Sequence, residues 1–498
     1  MERRFAGSQG QLLVKVALIS PKWNQLVNSY PSLGLGYLAA VLEQRGHRAA
    51  IFDFGLDPRR PLADEVADVL AFQPDLIGLT SMTSAYHSVE QTIELLRAGT
   101  QATLVIGGPH ATVFPERTLR EQPALDYLVF GEGEETLLEL VDVVEGRRAA
   151  ESVAGLCFRR AGEVVRNAER PLIRDLDALP LPARHLFQLE RYPLYGPDGE
   201  RMLTVLSSRG CPFNCSYCFK GIVGRTYRQR SPDSLIAELK LLIRTYAIRS
   251  FYFIDDLFAL DLKRLDALLE RILQEKLDIA WQCLARVDRV NPEVLRKMAA
   301  AGCRQIHYGI ESGNQAILDQ IGKRITLTQV EQAVRWTAAA GIRAKGYFML
   351  GLPGDTEETM QQTIDFAGRL DLDDAMFSLT TPFPGTRLWD ELVARRPETA
   401  WNQDFSKAFY YNSYMEEIAP FLNVSQVSDE RLSRLAQRAR ARFDESKRRR
   451  KYERRLGKVL GGALWRASRL RPLRAAGRWL LDRPAIGRRI ALREEHRP

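Results

Sequence analysis

Residues 207–221 read SSRGCPFNCSYCFKG, placing Cys211, Cys215 and Cys218 in CxxxCxxC spacing. They are three of only six cysteines in a chain of 498 residues. Thiolates crowded in this way are metal ligands first. Zinc is one reading, because a C-x2-C pair suits a tetrahedral site. A structural zinc site closes with a fourth ligand, yet the nearest other cysteines, Cys157 and Cys283, lie more than fifty residues away, and no ligand-spaced histidine follows. A catalytic zinc held by three thiolates is a poor Lewis acid, since the thiolates quench its charge. Three thiolates do suit a 4Fe–4S cluster that leaves one iron free for another ligand. Phe213 and Tyr217, between the cysteines, then serve to shield it.

The elements around the motif follow a strand–helix beat. MLTVLSS leads into the cysteines, and 250–258, 279–288, 305–313, 343–354 and 375–386 read as further strands with their loops. Amphipathic helical stretches such as LKRLDALLERILQE separate them. The expectation is a partial TIM-like (β/α)6 barrel over 200–395, with its chemistry at the C-terminal strand ends. Asp255, Asp256, Arg286, Glu311 and the glycines of GLPG fall there. Bland roles compete at each position. The aspartates can cap the next helix, and Arg286 can pair with Glu311 across neighbouring strands. Cys283 and Cys303 read as ordinary buried thiols.

Ahead of the barrel, residues 12–150 alternate apolar strands (14–20, 49–54, 75–81, 103–109, 126–134) with helical patterns. Strands apolar throughout and spaced by helices indicate a doubly wound parallel sheet covered on both faces. Its ligand site belongs at the C-terminal strand ends. Three loops there are built from small and polar residues: Ser81, Thr83 and Ser84; Gly107, Gly108, Pro109 and His110; Gly131, Glu132 and Gly133. Glycines let a large flat ligand approach the backbone. No GxGxxG or GxxxxGK[ST] loop is present, so nucleotide fits poorly. Residues 151–199 read as a linker, extended and spaced by prolines over 170–187. Residues 396–498 read as a helical, basic extension.

The cysteine motif resembles the cluster-binding signature of the radical S-adenosylmethionine enzymes. The segments over 12–150, preceded by PSLGLGYLAAVLEQRGH, resemble the cobalamin-binding domain of that family's cobalamin-dependent members, the broad class that includes the anaerobic oxidative cyclase of bacteriochlorophyll synthesis. The resemblance implies three cofactors: a 4Fe–4S cluster on Cys211, Cys215 and Cys218, S-adenosylmethionine chelated to the free iron, and cobalamin. It implies S-adenosylmethionine contacts at Phe219 near the adenine, Asp255 and Asp256 near the methionine end, and Arg286 and Glu311 toward carboxylate, amine or ribose. Gly346 and Gly351 become backbone contacts on the adenine-supporting strand. Cobalamin contacts fall on the three small-residue loops named above. The DxHxxG signature, whose histidine ligates cobalt in other corrinoid proteins, is missing. Cobalamin is therefore expected without a histidine axial ligand, with His110 hydrogen-bonding in its loop.

What the resemblance implies for activity is a C-methyltransferase acting on an unactivated carbon. A 5′-deoxyadenosyl radical makes a carbon radical, and methylcobalamin donates the methyl group. Radical rearrangement, oxidative cyclisation or ring contraction of a lipid or tetrapyrrole-like substrate is the alternative. A methylthiotransferase needs further cluster cysteines before Cys157, where there are none. A corrinoid-binding sensor leaves the cysteine motif unused.

Charge divides the molecule. From Arg431 onward there are 23 Lys and Arg against 6 Asp and Glu, so the body is mildly acidic and the tail strongly basic. Arginine-rich helices carrying Trp465, Leu470, Leu473, Trp479 and Leu480 suit either a solvated cap or an anionic membrane surface. No RNA-binding module accompanies the charge. No run of eighteen apolar residues appears, and Lys15 interrupts the first apolar stretch, so neither a membrane span nor a secretory signal is expected. Few cysteines suit a reducing cytosol, with peripheral contact at the inner membrane surface through the tail. Expected partners are a small-molecule or lipid substrate and an external electron donor of flavodoxin or ferredoxin type, not nucleic acid. The aromatic stretch 401–415 is a candidate lining for the barrel mouth, or equally core between barrel and tail.

Overall fold

A computed structural model describes residues 13–23, 28–400, 404–408 and 419–467. Its first sheet has seven strands: β1 (Lys15–Ser20), β2 (Arg48–Asp53), β3 (Leu76–Thr80), β4 (Thr103–Gly107), β5 (Tyr127–Val129), β6 (Leu156–Arg160) and β7 (Glu163–Arg166). Their spatial order is β2-β1-β3-β4-β5-β6-β7, and the first five run parallel. Val16 to Ile19 are all buried, as expected of strands covered on both faces. Helices Leu33–Gln44 and Glu134–Val144 cover one face, and Leu62–Ala71 and Tyr86–Gly99 the other. β6 and β7 add an antiparallel edge from residues the sequence reads as linker. Their two-residue turn, Ala161 and Gly162, has φ of 50° and 87°, a type I′ hairpin geometry.

The second sheet begins with β8 (Met202–Val205). A short antiparallel hairpin follows, β9 (Ser208–Arg209) with β10 (Arg228–Gln229), and it closes the base of the cysteine-bearing loop 210–227. β11 (Ser250–Phe253), β12 (Ala280–Ala285), β13 (Cys303–Glu311), β14 (Arg343–Leu350) and β15 (Asp374–Leu379) complete six parallel strands in the order β8-β11-β12-β13-β14-β15. With helices between successive strands, this is the (β/α)6 partial barrel.

One continuous apolar core runs from helix Leu33–Gln44 through Ala183, Phe187 and Tyr192 into the barrel, so the two units are packed as one body on this side. The connector is extended apart from short 3-10 turns. Ala183 N–H donates to Gly36 O (2.9 Å), and a Cβ on Gly36 would meet Pro182 and Phe187 at 3.1 and 3.2 Å. Glycine at position 36 is what lets the connector lie flat on the helix. At the other end, helix Asp429–Leu456 crosses helix Glu357–Arg369 and edge strand β15. It buries Leu432, Leu435, Ala436, Ala439 and Phe443 at helical spacing. Arg440 pairs with Asp374 of β15 at 2.7 Å, and Arg431 and Arg454 pair with Glu357 and Asp371. The barrel's open edge is thereby covered. Helix Lys458–Ala467 follows and carries Trp465. Leu470, Leu473, Trp479 and Leu480 lie outside the described residues, as does most of 401–415. Among the described residues, no helix is long and apolar enough to cross a membrane.

Candidate active site

Loop 210–227 is held from several sides before any metal is considered. Ser216 N–H donates to Ile321 O and Ser216 O accepts from Leu388 N–H, both at 2.9 Å. The Arg286 guanidinium stacks 3.7 Å above Phe213, and Lys323 Nζ reaches Tyr217 Oη at 3.3 Å. Lys220 Nζ donates to Cys211 O at 3.1 Å. These contacts leave the three thiols as the loop's own donor set. Cys157, Cys283 and Cys303 are buried within β6, β12 and β13. The Cys218 thiol presents accessible surface, yet desolvation by the protein around it pushes it up to about 11, with the charges of Asp256, Cys215 and Cys211 adding and Lys220 opposing. Three thiols in one loop, with no fourth thiol beside them among the described residues, fit a 4Fe–4S cluster with an open coordination position.

Of the barrel residues singled out from sequence, Asp255, Asp256, Arg286 and Glu311 lie beside this loop or the segment leading into it, in roles the sequence could not separate, whereas Gly346 and Gly351 sit against other parts of the barrel. Asp255 is almost completely buried and accepts from Ser207 N–H, Ser207 Oγ and Ser208 N–H, each at 2.6 Å. Those bonds fix the chain just before the hairpin. Asp256 instead lines the cavity described below; burial raises its carboxyl, the Lys220 charge opposing. Arg286 and Glu311 do not pair with each other. Arg286 binds Asp288 (2.9 Å) and Lys323 O (2.8 Å), while Glu311 binds Lys323 Nζ (2.7 Å). Glu311 has φ of 69° at the end of β13, beside a register shift. Such backbone is uncommon for a non-glycine residue and gathers at functional sites. Phe219 packs on Gly385 of the loop after β15, where an added Cβ would come within 2.8 Å of both its ring and Val113 of the first domain. Gly346 is enclosed by Leu372, Phe348 and Ile310 side chains. Gly351 takes φ of 83° under Leu432 of the C-terminal helix.

A cavity of about 330 Å³ opens at the C-terminal edge of the first sheet, beside the switch point where β1 and β3 neighbour each other. Gly107, Gly108, Pro109, Gly131, Glu132 and Gly133 line it. It also runs inward past Leu18 and Gly78, between the sheet and helix Leu33–Gln44. Gly78 was the missed signal: a glycine inside an apolar strand marks close approach. A Cβ at Gly131 would meet nothing within 4 Å, so ligand can lie against that backbone. From the barrel side, Leu206, Ser208, Arg209, Ile254 and Asp256 complete the wall. An apolar cavity with glycine walls and polar residues on its barrel side suits part of a large planar cofactor with an appended group, as cobalamin is.

Ser81, Thr83, Ser84 and His110 are not among the cavity's lining residues. All four are buried. Thr83 and Ser84 sit in a 3-10 turn beside residues 405–407. His110 stacks on Tyr86 at 3.8 Å between ring centres and meets Phe114 and Phe405 edge-on. Burial, aided by the Arg117 charge, lowers its pKa to about 3, so the imidazole is neutral. Glu132 is spent on protein partners: Arg209 (2.9 Å), Arg228 (2.8 and 2.9 Å) and Ile173 N–H (2.8 Å). Arg209, Arg228 and Lys323 escaped the sequence reading because isolated basic residues near a motif look like solvated surface.

Comparison with known proteins agrees with this division. Residues 24–141 match the B12 binding domain and residues 205–367 the Radical SAM superfamily. An uncharacterized methyltransferase of Pyrococcus horikoshii is 35% identical over 86% of this chain and 92% of its own length. The anaerobic magnesium-protoporphyrin IX monomethyl ester cyclase of Cereibacter sphaeroides is 29% identical over 76% of this chain and 64% of its own. Among solved structures, the radical S-adenosylmethionine methyltransferase TsrM of Kitasatospora setae, with cobalamin and a [4Fe-4S] cluster bound, superposes with a TM-score of 0.65. That match has 22% identity and covers 77% of this chain and 75% of TsrM, a likeness of fold.

Proposed function

This chain belongs to the cobalamin-dependent radical S-adenosylmethionine enzymes, and from that premise we propose that it transfers a methyl group to an unactivated carbon of a small-molecule substrate. When bound, the cluster with S-adenosylmethionine supplies a hydrogen-abstracting radical, and cobalamin carries the methyl group. The observation that carries the reading is the shared wall: Ser208, Arg209 and Asp256, from the segments that brace the cysteine loop, line the glycine-walled cavity of the first domain. Both cofactors then face one reaction space. Phe213 and Tyr217 pack over the loop and keep water from it. Lys323 and Glu311, paired beneath Tyr217, offer a buried donor and acceptor to the polar end of S-adenosylmethionine.

Methyl transfer draws further support from the Pyrococcus relative, a methyltransferase by name that this chain covers almost fully. The cyclase relative keeps oxidative cyclisation as the second reading. An external one-electron donor of flavodoxin or ferredoxin type belongs to either, because the cluster must be reduced. Peripheral contact with an anionic membrane surface through the basic tail suits a lipid or tetrapyrrole-like substrate.

The test is anaerobic reconstitution with iron, sulfide and cobalamin, then incubation with reductant, S-adenosylmethionine and bacterial lipid extract. We expect 5′-deoxyadenosine and S-adenosylhomocysteine together. Deoxyadenosine alone points to cyclisation or rearrangement. Absence of deoxyadenosine, with no difference from a Cys211→Ala control, overturns the reading.

A further inference from the structure

The segment after β5 serves two sites at once. Gly131, Glu132, Gly133 and Glu134 all line the cavity of the first domain, and the Glu132 and Glu134 carboxylates also reach the β9–β10 hairpin. Glu132 accepts from Arg209 and Arg228, and Glu134 accepts from Arg209 at 2.6 Å. Arg209 and Arg228 are register partners across the hairpin, so the carboxylates grip both of its strands. All four charged side chains are at most 7% exposed. Burial pushes the Glu132 carboxyl up, but hydrogen bonds from Arg228 and Arg209 outweigh it and hold the group below its ordinary range, hence ionised.

The hairpin in turn is the base of the cysteine loop. Arg209 stands two residues before Cys211, and Gly210 between them has φ of 86°. The Arg228 guanidinium also donates to Val223 O at 2.9 Å inside the loop and to Ile173 O at 2.6 Å in the connector. Three segments thus meet on one buried group of two cations and two anions. An apolar seam of equal area could hold the domains together as well. Directional charged bonds add fixed placement of one loop against the other.

We propose that Glu132, Glu134, Arg209 and Arg228 are positioning residues that couple the two cofactor sites. Filling the cobalamin cavity orders loop 131–134, through it the hairpin, and through the hairpin the three cysteines. A loaded cluster orders the cavity wall by the same route. The inference rests on the reading that the cavity takes cobalamin and the cysteines a 4Fe–4S cluster. Linkage requires the effect to be reciprocal, with one factor in both directions.

The experiment is an anaerobic titration of the full chain with hydroxocobalamin, followed by corrin absorbance, with and without a reconstituted cluster. The cluster should tighten cobalamin binding about fivefold or more, and cobalamin should slow iron loss to a chelator. Arg228 is not among the cavity's lining residues and is not a cysteine neighbour, so Arg228→Gln is the clean variant. It should still bind both cofactors, with the affinity ratio close to one. Arg228→Lys keeps the charge without the fork and should fall between; it carries the test if Arg228→Gln does not melt cooperatively. A wild-type ratio of one, or a ratio unchanged in both variants, overturns the coupling. Absence of cobalamin binding in either cluster state overturns the underlying reading and the coupling with it.

Discussion

At the scale of single residues, adjacent aspartates have opposite duties. Asp255 closes three hydrogen bonds to the chain that leads into the cysteine hairpin, whereas Asp256 faces the cavity. Asp255→Ala should cost about 3 kcal/mol in denaturant unfolding, the order of leaving buried donors unmet, and should lower bound iron after reconstitution. Asp256→Asn should leave stability within about 0.5 kcal/mol while weakening cofactor binding, measured by titration. The sequence located both at a strand end but not this division, since Asp255's partners come from a segment 47 and 48 residues away. A second carboxyl gives a pH signature. Burial pushes Asp355 up to about 6, although Gly351 N–H, Leu352 N–H and Thr359 Oγ1 all donate to it. A carboxyl raised above its unfolded value near 4 stabilises the fold fully below that pH and loses the contribution as pH rises through about 6. The gap corresponds to about 3 kcal/mol at most. Unfolding of wild type and Asp355→Asn at pH 4 and pH 7.5 should therefore show the variant gaining relative stability at the higher pH. A pH-independent difference contradicts the assignment.

At the scale of elements, the parallel strands were legible because each is a short apolar run bounded by turn residues. The strand over 103–109 is seen as Thr103–Gly107, and that over 343–354 as Arg343–Leu350 with its loop. The β9–β10 hairpin was not legible. Each strand has only two residues, and eighteen residues of cysteine loop lie between them. Its closure depends on Gly210, where φ is 86° and an added Cβ would collide with the Thr226 carbonyl oxygen. Gly210→Ala pits both backbone strain and a steric clash against the hairpin. The expected outcome is loss of most cluster iron, read by EPR, with the far-UV circular dichroism kept. Full iron content in Gly210→Ala would falsify the view that the hairpin sets the cysteine loop.

At the scale of the whole molecule, the basic tail divides into a helix that packs on the barrel and the residues that follow it. Helix Asp429–Leu456 commits Arg431, Arg440 and Arg454 to carboxylates of the barrel, and Arg440 among them ties it to β15. Composition alone could not reveal that, because an arginine bound to the barrel and one facing solvent read alike. Beyond it, the surface changes: Leu456, Val459 and Leu460 are 42%, 87% and 55% exposed at the turn into helix Lys458–Ala467. Residues 468–498 then add nine arginines against three acidic residues. Each basic group near an anionic lipid surface contributes about 1 kcal/mol, and exposed leucine and valine beside them can enter the headgroup region. The full chain should therefore float with vesicles of phosphatidylglycerol and phosphatidylcholine but not with phosphatidylcholine alone. Binding should weaken steeply as salt is raised toward about 1 M, where the Debye length falls to about 3 Å. A Val459→Asp, Leu460→Asp variant should lose part of the binding without loss of thermal stability, because neither side chain is buried. Equal flotation with both vesicle types would point to apolar insertion without the arginines. No flotation with either would leave the tail as the cover of the barrel edge that its ion pairs already make it.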